Sequence, residues 1–357
     1  MRLAIILVHY RAAQLAARAV RALQADLAPL KLEHGLWIVD HGSDAAEREI
    51  LHDLARQPDI HLLEPGQNRG YAGGVNLGVT TSVGDVIVIM NPDVLVRPGC
   101  TAALLAELTG RAGVAGPRFY WDEEQRVLLP PGDRTSRWDA VLEVLAARSE
   151  GAARWARRRW RRHARRHWSA TTTMRSATLS GALMAFRRDV WNRVGGFDEG
   201  YPLYFEETDW MRRVVAAGIE SVHVPTAAAV HLHNQSATTE PRAGQWFETS
   251  ARRFRERHHG RRFTRTLAAV ARRWPPRSPR MAEPVSGVQI PEAVGNGGWI
   301  EISPNPTGYP AAGEPVVGGQ SWNWPPQVAA RLTAGERWFF VLSDARGAEV
   351  RTGWLRV

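Results

Sequence analysis

Three carboxylates fall within four residues at Glu206-Glu207-Thr208-Asp209. They follow the turn-like Gly195-Gly196-Phe197-Asp198-Glu199 and precede His231 and His233. Crowded acids can supply a general base and a second acid behind it, because mutual repulsion raises one pKa. The same residues also fit a helix start, where the macrodipole favours acids and Thr208 or Asp209 can cap. His231 and His233 alternate, so on a strand they face opposite sides; one could line a site, or both could be satisfied polar residues. Two earlier stretches carry possible chemistry. Asn68-Arg69-Gly70-Tyr71-Ala72-Gly73-Gly74-Val75-Asn76-Leu77-Gly78 lets the backbone approach a phosphate or pass a crowded turn. It has neither GxGxxG spacing after the first strand nor a Walker lysine. Asn91-Pro92-Asp93 could hold a divalent cation bridging two phosphates, or be a simple turn.

Regular elements must bring these stretches together. Leu3–Val8 reads as a buried strand and Ala12–Leu27 as a helix stopped near Pro29. Gly35–Asp40 is a second buried strand ending on an acid. Ala45–Arg56 is a helix with Ser43 or Asp44 as cap, and Ile60–Leu63 is a short strand. The glycine-rich run enters a further helix, and Asp85–Met90 is a fourth strand ended by Asn91-Pro92-Asp93. This β-α-β-α-β-α-β order predicts a doubly wound α/β sheet with ligands at the carboxyl ends of its strands, where Asp40 and Asp93 fall.

A length of 357 residues allows one large domain or two modest ones. The net charge of +10 is carried almost wholly by arginine, Lys31 being the sole lysine, and favours anionic partners. Cys100 is alone, which excludes an internal disulfide and suggests a reducing compartment. No apolar run approaches the length of a membrane span, so a cytoplasmic protein is expected, peripheral at most to the inner membrane face. The segment 134–173 interrupts the α/β pattern. Its middle, Arg154–Trp168, holds eight arginines, two histidines and three tryptophans without an acid. A second arginine-rich helix is expected from Gln245 to Trp274, with Trp246, Phe254, Phe263, Leu267 and Val270 as apolar contacts. A proline-rich linker follows, and then short β-like runs such as Gly298–Ile302 and Arg337–Leu342. The expected division is 1–272, a linker at 273–296, and a small all-β module at 297–357. Trp299, Trp322, Trp324, Trp338 and Trp354 in that module are either its core or a carbohydrate face.

Taken in order, these motifs resemble the family 2 inverting glycosyltransferases, most closely the bacterial rhamnosyltransferase-like branch, over about residues 3–260. Asn68–Gly78 is similar to the family's NxGFAGGNNxG, Met90–Val94 to LNPDV, and Gly195–Glu199 to GGFDE. Glu206–Asp209 is similar to an Glu-Asp-x-Asp motif, and His231–Ser236 to a His-x-x-x-x-Ser tail. The resemblance implies an α/β GT-A (Rossmann-like) nucleotide-sugar-binding domain. Val8, Asp40, Asn68, Gly70, Gly73, Gly74, Asn76 and Asn91 would contact the donor. Gly181, Asp198 and Glu199 would lie on the acceptor side, Asp93 and His231 would hold Mg²⁺ or Mn²⁺, and Glu207 would be the base, with Glu206 and Asp209 beside it. Two departures stand out. The family's VDNxSxD is shortened to Val39-Asp40-His41-Gly42-Ser43-Asp44, and Glu207 stands where the family has Asp.

The implied reaction passes a sugar, rhamnose or another hexose, from a nucleotide-sugar to a saccharide or polyprenyl-linked acceptor in cell-surface polysaccharide synthesis, with inversion in one displacement. The arginine-tryptophan helices suit an anionic membrane surface, or are a solvated charged face. Two other readings stay open: a basic nucleic-acid-binding α/β protein, which leaves the acidic cluster unexplained, and an inactive glycosyltransferase-like scaffold.

Overall fold

A computed structural model describes residues 1–132, 135–232, 242–277 and 283–357. His233 and Ser236 therefore lie outside the described residues. Elements are numbered along the chain.

Every position from Leu3 to Val8 is apolar, which suits a strand covered on both faces. Strand β1 (Arg2–His9) is buried from Leu3 onward. Helix α1 (Ala13–Leu27) buries Ala13, Ala16, Val20, Leu23 and Leu27, the stripe that a period of 3.6 residues produces. β2 (Glu33–Asp40) runs parallel to β1 with His9 opposite Asp40. In α2 (Ala45–Leu54) the Asp44 carboxylate caps by accepting the Glu47 N–H at 2.9 Å. β3 (Ile60–Leu63) extends the sheet beyond β2, and β4 (Val86–Met90) joins the other side of β1, both parallel. Helix α3 (Gly70–Thr81) connects them. All four strands thus end on one edge, as the alternating pattern predicts.

The sheet then becomes mixed. β5 (Val94–Val96), β6 (Val114–Tyr120), β7 (Met174–Arg175), β8 (Leu183–Arg187) and β9 (Ser221–His231) join it. Among the described residues the order is β3-β2-β1-β4-β8-β6-β9-β5, with β7 against β9. β8 lies antiparallel to β4, and β5 antiparallel to β9. Helices α4 (Cys100–Leu108), α7 (Arg188–Val194), α8 (Glu206–Ala216) and α9 (Ala243–His259) complete this part of the chain. Trp210 of α8 is fully buried against Phe186, at 4.9 Å between ring centroids, and against Trp191 and Phe197. Aromatic packing of this kind fixes the axis of α8, and with it the direction of its acidic first turn.

The chain forms two compact units: 1–118 with 170–258, and 119–169 with 259–357. The sequence expectation put the Arg/Trp-rich segment and residues 259–272 with the first domain. The packing puts them with the C-terminal strands instead. α5 (Arg137–Ala146), α6 (Glu150–Trp168) and α10 (Arg261–Arg273) share that unit with a four-stranded antiparallel sheet and a two-stranded ladder. The sheet has the order β12-β11-β14-β15, and the ladder pairs β10 with β13. Their ranges are β10 (Gly287–Gln289), β11 (Gly298–Ser303), β12 (Ala312–Val316), β13 (Ser321–Asn323), β14 (Arg337–Ser343) and β15 (Glu349–Arg356). β10 falls inside the stretch expected to be a linker. The single helix expected over 245–274 is two helices, parted at Gly260, whose φ of 95° suits glycine alone.

The interior face of α6 explains the regrouping. Arg161 pairs with Glu301, and Arg157 with Glu349 at 3.0 Å and with Glu150 at 3.1 Å. Trp168 stacks on Trp299 at 5.1 Å. A guanidinium buried to 2% exposure persists only with such partners, so the contacts tie α6 to β11 and β15. Trp299, Trp322 and Trp354 are buried, which favours the core role for the module's tryptophans.

Candidate active site

Eight chain segments converge on a cavity of about 670 Å³ in the first unit. Strand pairing brings them there. β5 and β9 are in register at Val94 and His231, so Asp93 sits one residue before that pair. His231 Nε2 is 3.3 Å from Asp93 Oδ1, and the Leu232 N–H donates to the Asp93 carbonyl at 2.9 Å. β4 and β8 are in register at Met90 and Leu183, and the Asn91 N–H donates to the Ala182 carbonyl at 2.8 Å. Gly181 thereby lies beside Asn91 and Asp93 on the cavity wall.

Gly181 also makes room for α8. A methyl group at that position would come 3.0 Å from both Cβ and Cγ of Glu207. Glu206 and Glu207 line the cavity from the first turn of α8. The two residues leading into it, Tyr204 and Phe205, have φ of 67° and 69°. Left-handed backbone costs energy for bulky residues and is held here by Phe205 packing on Phe247 and Phe254. Glu206 is only 4% exposed, and its Oε2 has no hydrogen-bond partner among the described residues. Burial first, then the charge of Glu207, holds its carboxyl well above the usual carboxylate range. Tyr71, whose hydroxyl donates to the Gly181 carbonyl at 2.7 Å, is likewise held protonated by burial and by Glu206, Glu207 and Asp93.

Of the residues named from the sequence, Val8, Asn68, Gly70, Asn91 and Asp93 line the cavity, as do Gly181, Glu199, Glu206, Glu207 and His231. The others do not. Asp209, expected beside the base, is fully buried behind it. It receives His258 at 2.7 Å, Arg213 at 3.0 Å and Arg257 at 3.2 Å, so it fastens α8 to α9. Those partners outweigh burial and keep its carboxyl below the usual range. Asp198, expected on the acceptor side, instead binds Arg253 and Arg257 at 2.9 and 2.5 Å.

Four expected donor contacts are packing positions in the same way. The Asn76 side chain clasps the 195–199 turn, accepting the Phe197 N–H at 2.9 Å and donating to the Phe197 carbonyl and to Glu199. Gly73 and Gly74 let α3 close down; a methyl group at Gly74 would meet Val8 Cγ1 at 2.7 Å and His41 Cε1 at 2.9 Å. Asp40 is 3% exposed and turned inward. Ser43 Oγ donates to it at 2.7 Å, and His9 Nδ1 stands 3.2 Å away. His9 Nε2 accepts the Ala12 N–H at 2.8 Å, which puts the ring proton on Nδ1, facing Asp40.

The structure adds residues that sequence reasoning passed over. His41 lines the cavity where the shortened motif departs from the family pattern, and its Nε2 has no partner among the described residues. Burial, helped by Arg69 and His9, pushes its pKa down to about 4. Tyr10, Tyr204, Arg242 and Trp246 form other parts of the wall. Trp246 reads from sequence as an apolar helix contact, and only the fold turns it to the cavity. Among the described residues no three His, Cys, Asp or Glu side chains gather as a metal cage.

A glycosyl transferase family 2 model matches residues 4–194, more than half of the chain. The chain belongs to that family. This glycosyltransferase is 31% identical over 217 residues to the N-acetylglucosaminyl-diphospho-decaprenol L-rhamnosyltransferase of two Mycobacterium tuberculosis strains, covering 57% of its own length and 68% of theirs. It is 33% identical over 76 residues to rhamnosyltransferase WbbL of Escherichia coli K12, covering 21% and 29%. A solved mannosyltransferase from Pyrobaculum calidifontis, PcManGT in complex with GDP-Man and Mn²⁺, aligns over 76% of this chain and 74% of its own at 17% identity and a TM-score of 0.44.

Proposed function

We propose that this glycosyltransferase moves a hexose, with rhamnose the first candidate, from a nucleotide-sugar to a lipid-linked saccharide, and that it inverts the anomeric centre. The observation that carries the reading is the meeting of Glu206–Glu207, Asn91–Asp93 and Asn68–Gly70 on one cavity, although they are far apart in sequence. The relatives' names support the sugar and the acceptor: the mycobacterial protein is a rhamnosyltransferase acting on a diphospho-decaprenol. A polyprenyl-linked acceptor resides in a bilayer, so the transferase would work at a membrane face.

In this reading Glu207 is the general base. Burial favours the neutral form of Glu206 beside it, and Gly181 lets the Glu207 stem reach the acceptor hydroxyl. Glu207 takes the hydroxyl proton as the acceptor oxygen attacks the anomeric carbon and the nucleotide diphosphate departs from the opposite face. No covalent intermediate is required, which is why one base suffices. His41 and Asn68 would meet the nucleotide. Asp93 and His231 would hold a divalent ion, since Mg²⁺ and Mn²⁺ are commonly bound by one or two protein ligands together with substrate phosphate. Such an ion would neutralise the leaving diphosphate.

Donor turnover by Glu207→Gln and Asp93→Ala proteins tests the reading. Both should lose activity while melting like the parent protein, and near-parental rates in both would remove its basis.

A further inference from the structure

Helix α10 is amphipathic in an unusual way for a helix of a packed domain. Phe263, Leu267, Val270 and Trp274 fall within an arc of about 60° at 3.6 residues per turn. Arg261, Arg262, Arg265, Arg272 and Arg273 occupy the flanks and the opposite side, and α10 contains no acid. None of the five arginines has a carboxylate partner among the described residues. Of the whole helix only Thr264 is buried; Val270 is 43% exposed and Trp274, just past its end, 45%. A stripe of this kind normally faces a core. Here α10 is held at its edge by α5. Arg137 donates to the His259 carbonyl at 2.8 Å and lies over the Phe263 ring, while Arg148 donates to the Ala271 carbonyl at 2.7 Å and to that of Trp274.

The surface continues away from α10. Trp138, next to Arg137 on α5, is 50% exposed and meets Trp155 of α6, itself 46% exposed, at 5.8 Å between ring centroids. These two and Trp274 are the exposed tryptophans among the described residues. Trp155 borders a groove of about 480 Å³ lined by Arg154 and Arg158 of α6 and by Glu349, Arg351 and Thr352 of β15, the Glu349 carboxylate being already paired with Arg157 and Arg161. Arg154, Arg158, Arg162 and Arg166 form an exposed row at four-residue spacing, which starts beside the inward arginines at Arg154 and turns away from them towards Arg166.

We infer that this face, α10 with Trp138, Trp155 and the arginine row of α6, docks on an anionic lipid bilayer. α10 would lie in the plane of the interface with its stripe at the headgroup–acyl boundary, and the α6 groove would take a phosphate-bearing headgroup. Charge complementarity selects the occupant: a run of unpaired arginines beside exposed tryptophan and valine matches an interface whose outer layer is anionic and whose inner layer is apolar. A nucleic acid would satisfy the arginines but gain little from Val270. The inference stands on α10 and α6 and not on which sugar is transferred.

Co-sedimentation of the full chain with vesicles tests it, comparing phosphatidylcholine alone with phosphatidylcholine plus phosphatidylglycerol. The parent protein should pellet with the anionic vesicles and stay in solution with the neutral ones. Val270→Glu should lower the partition about tenfold. Arg154→Ser with Arg158→Ser should lower it about fivefold per arginine. Val270→Ser serves as a second variant, and all should melt like the parent because the sites are exposed. Equal binding to both vesicle types, or variants that bind like the parent, would overturn the inference. So would binding of duplex DNA with the same arginine dependence and no vesicle binding. A nucleoside-diphosphate thermal shift is read alongside; its loss would count against the transferase site and not against the membrane face.

Discussion

The first turn of α8 and the long helix α6 each crowd like charges into a short stretch, and the two structures treat those charges in opposite ways. In α6 the inward arginines 157, 161 and 165 reach Glu349, Glu301 and backbone carbonyls. Every inward cation has a counter-group, and the result is a structural bond between helix and sheet. In α8, Asp209 is handled likewise, by Arg213, Arg257 and His258. Glu206, one turn earlier, has no cation and an unpartnered oxygen among the described residues, although it is as deeply buried as many core residues. Burial without a counter-charge disfavours the ionised form of a carboxyl, so such a group persists where the fold has another reason to keep it. A charge cluster alone therefore does not separate a strut from a site; the supply of counter-charge does.

That contrast can be broken in several places. The largest effect belongs to the base: Glu207→Gln should lower kcat by about 10²- to 10⁴-fold with little change in melting temperature. Asp209→Asn should do the reverse, because it strands His258 and two arginines. The expected loss is on the order of 3 kcal/mol in chemical denaturation, towards the lower end for a buried pair since Arg257 is half in water. Glu301→Gln, at 1% exposure against Arg161, should cost about 3–5 kcal/mol, read by the same method.

The next effect depends on pH. The folded-state pKa of His41, about 4, lies below its ordinary value of 6.5. Its contribution is therefore complete above pH 6.5 and is lost as pH falls towards 4, by about 3 kcal/mol over that window. A His41→Asn protein should show a flatter stability profile between those limits. Glu206 has the opposite sign. Its folded pKa is raised, so the parent loses stability as pH climbs above the ordinary glutamate range. Glu206→Gln should melt higher than the parent, by a margin that grows with pH. The smallest effect lies on the outer row of α6: Arg162→Ser should change stability by less than about 0.5 kcal/mol.

Much of the first unit was legible in the residues. The strands at Leu3–Val8, Gly35–Asp40, Ile60–Leu63 and Asp85–Met90 lie within a residue or two of their observed bounds, because apolar runs between turn residues leave few alternatives. The meeting of Asp93, Gly181 and Glu207 on one cavity was accessible only through the order of motifs that carries the family resemblance. Less accessible were the fates of individual polar side chains. Asp40, Asn76, Asp198 and Asp209 belong to the same motifs as cavity residues, yet each is engaged by a neighbour that its own segment does not reveal. Trp246, Arg242 and Tyr204 carried no signal beyond amphipathic spacing.

By itself, the sequence determined the α/β framework, the family, the helix at Arg154–Trp168 and the acidic start of α8, because these depend on local periodicity, capping and motif spacing. Tertiary structure alone decided which arginines are struts and which face solvent, that Gly260 parts two helices belonging to different compact units, and that Glu206 is buried without a counter-charge among the described residues while Asp209 has two arginines and a histidine. Those outcomes rest on partners from distant segments, and burial converts the presence or absence of such a partner into several kcal/mol.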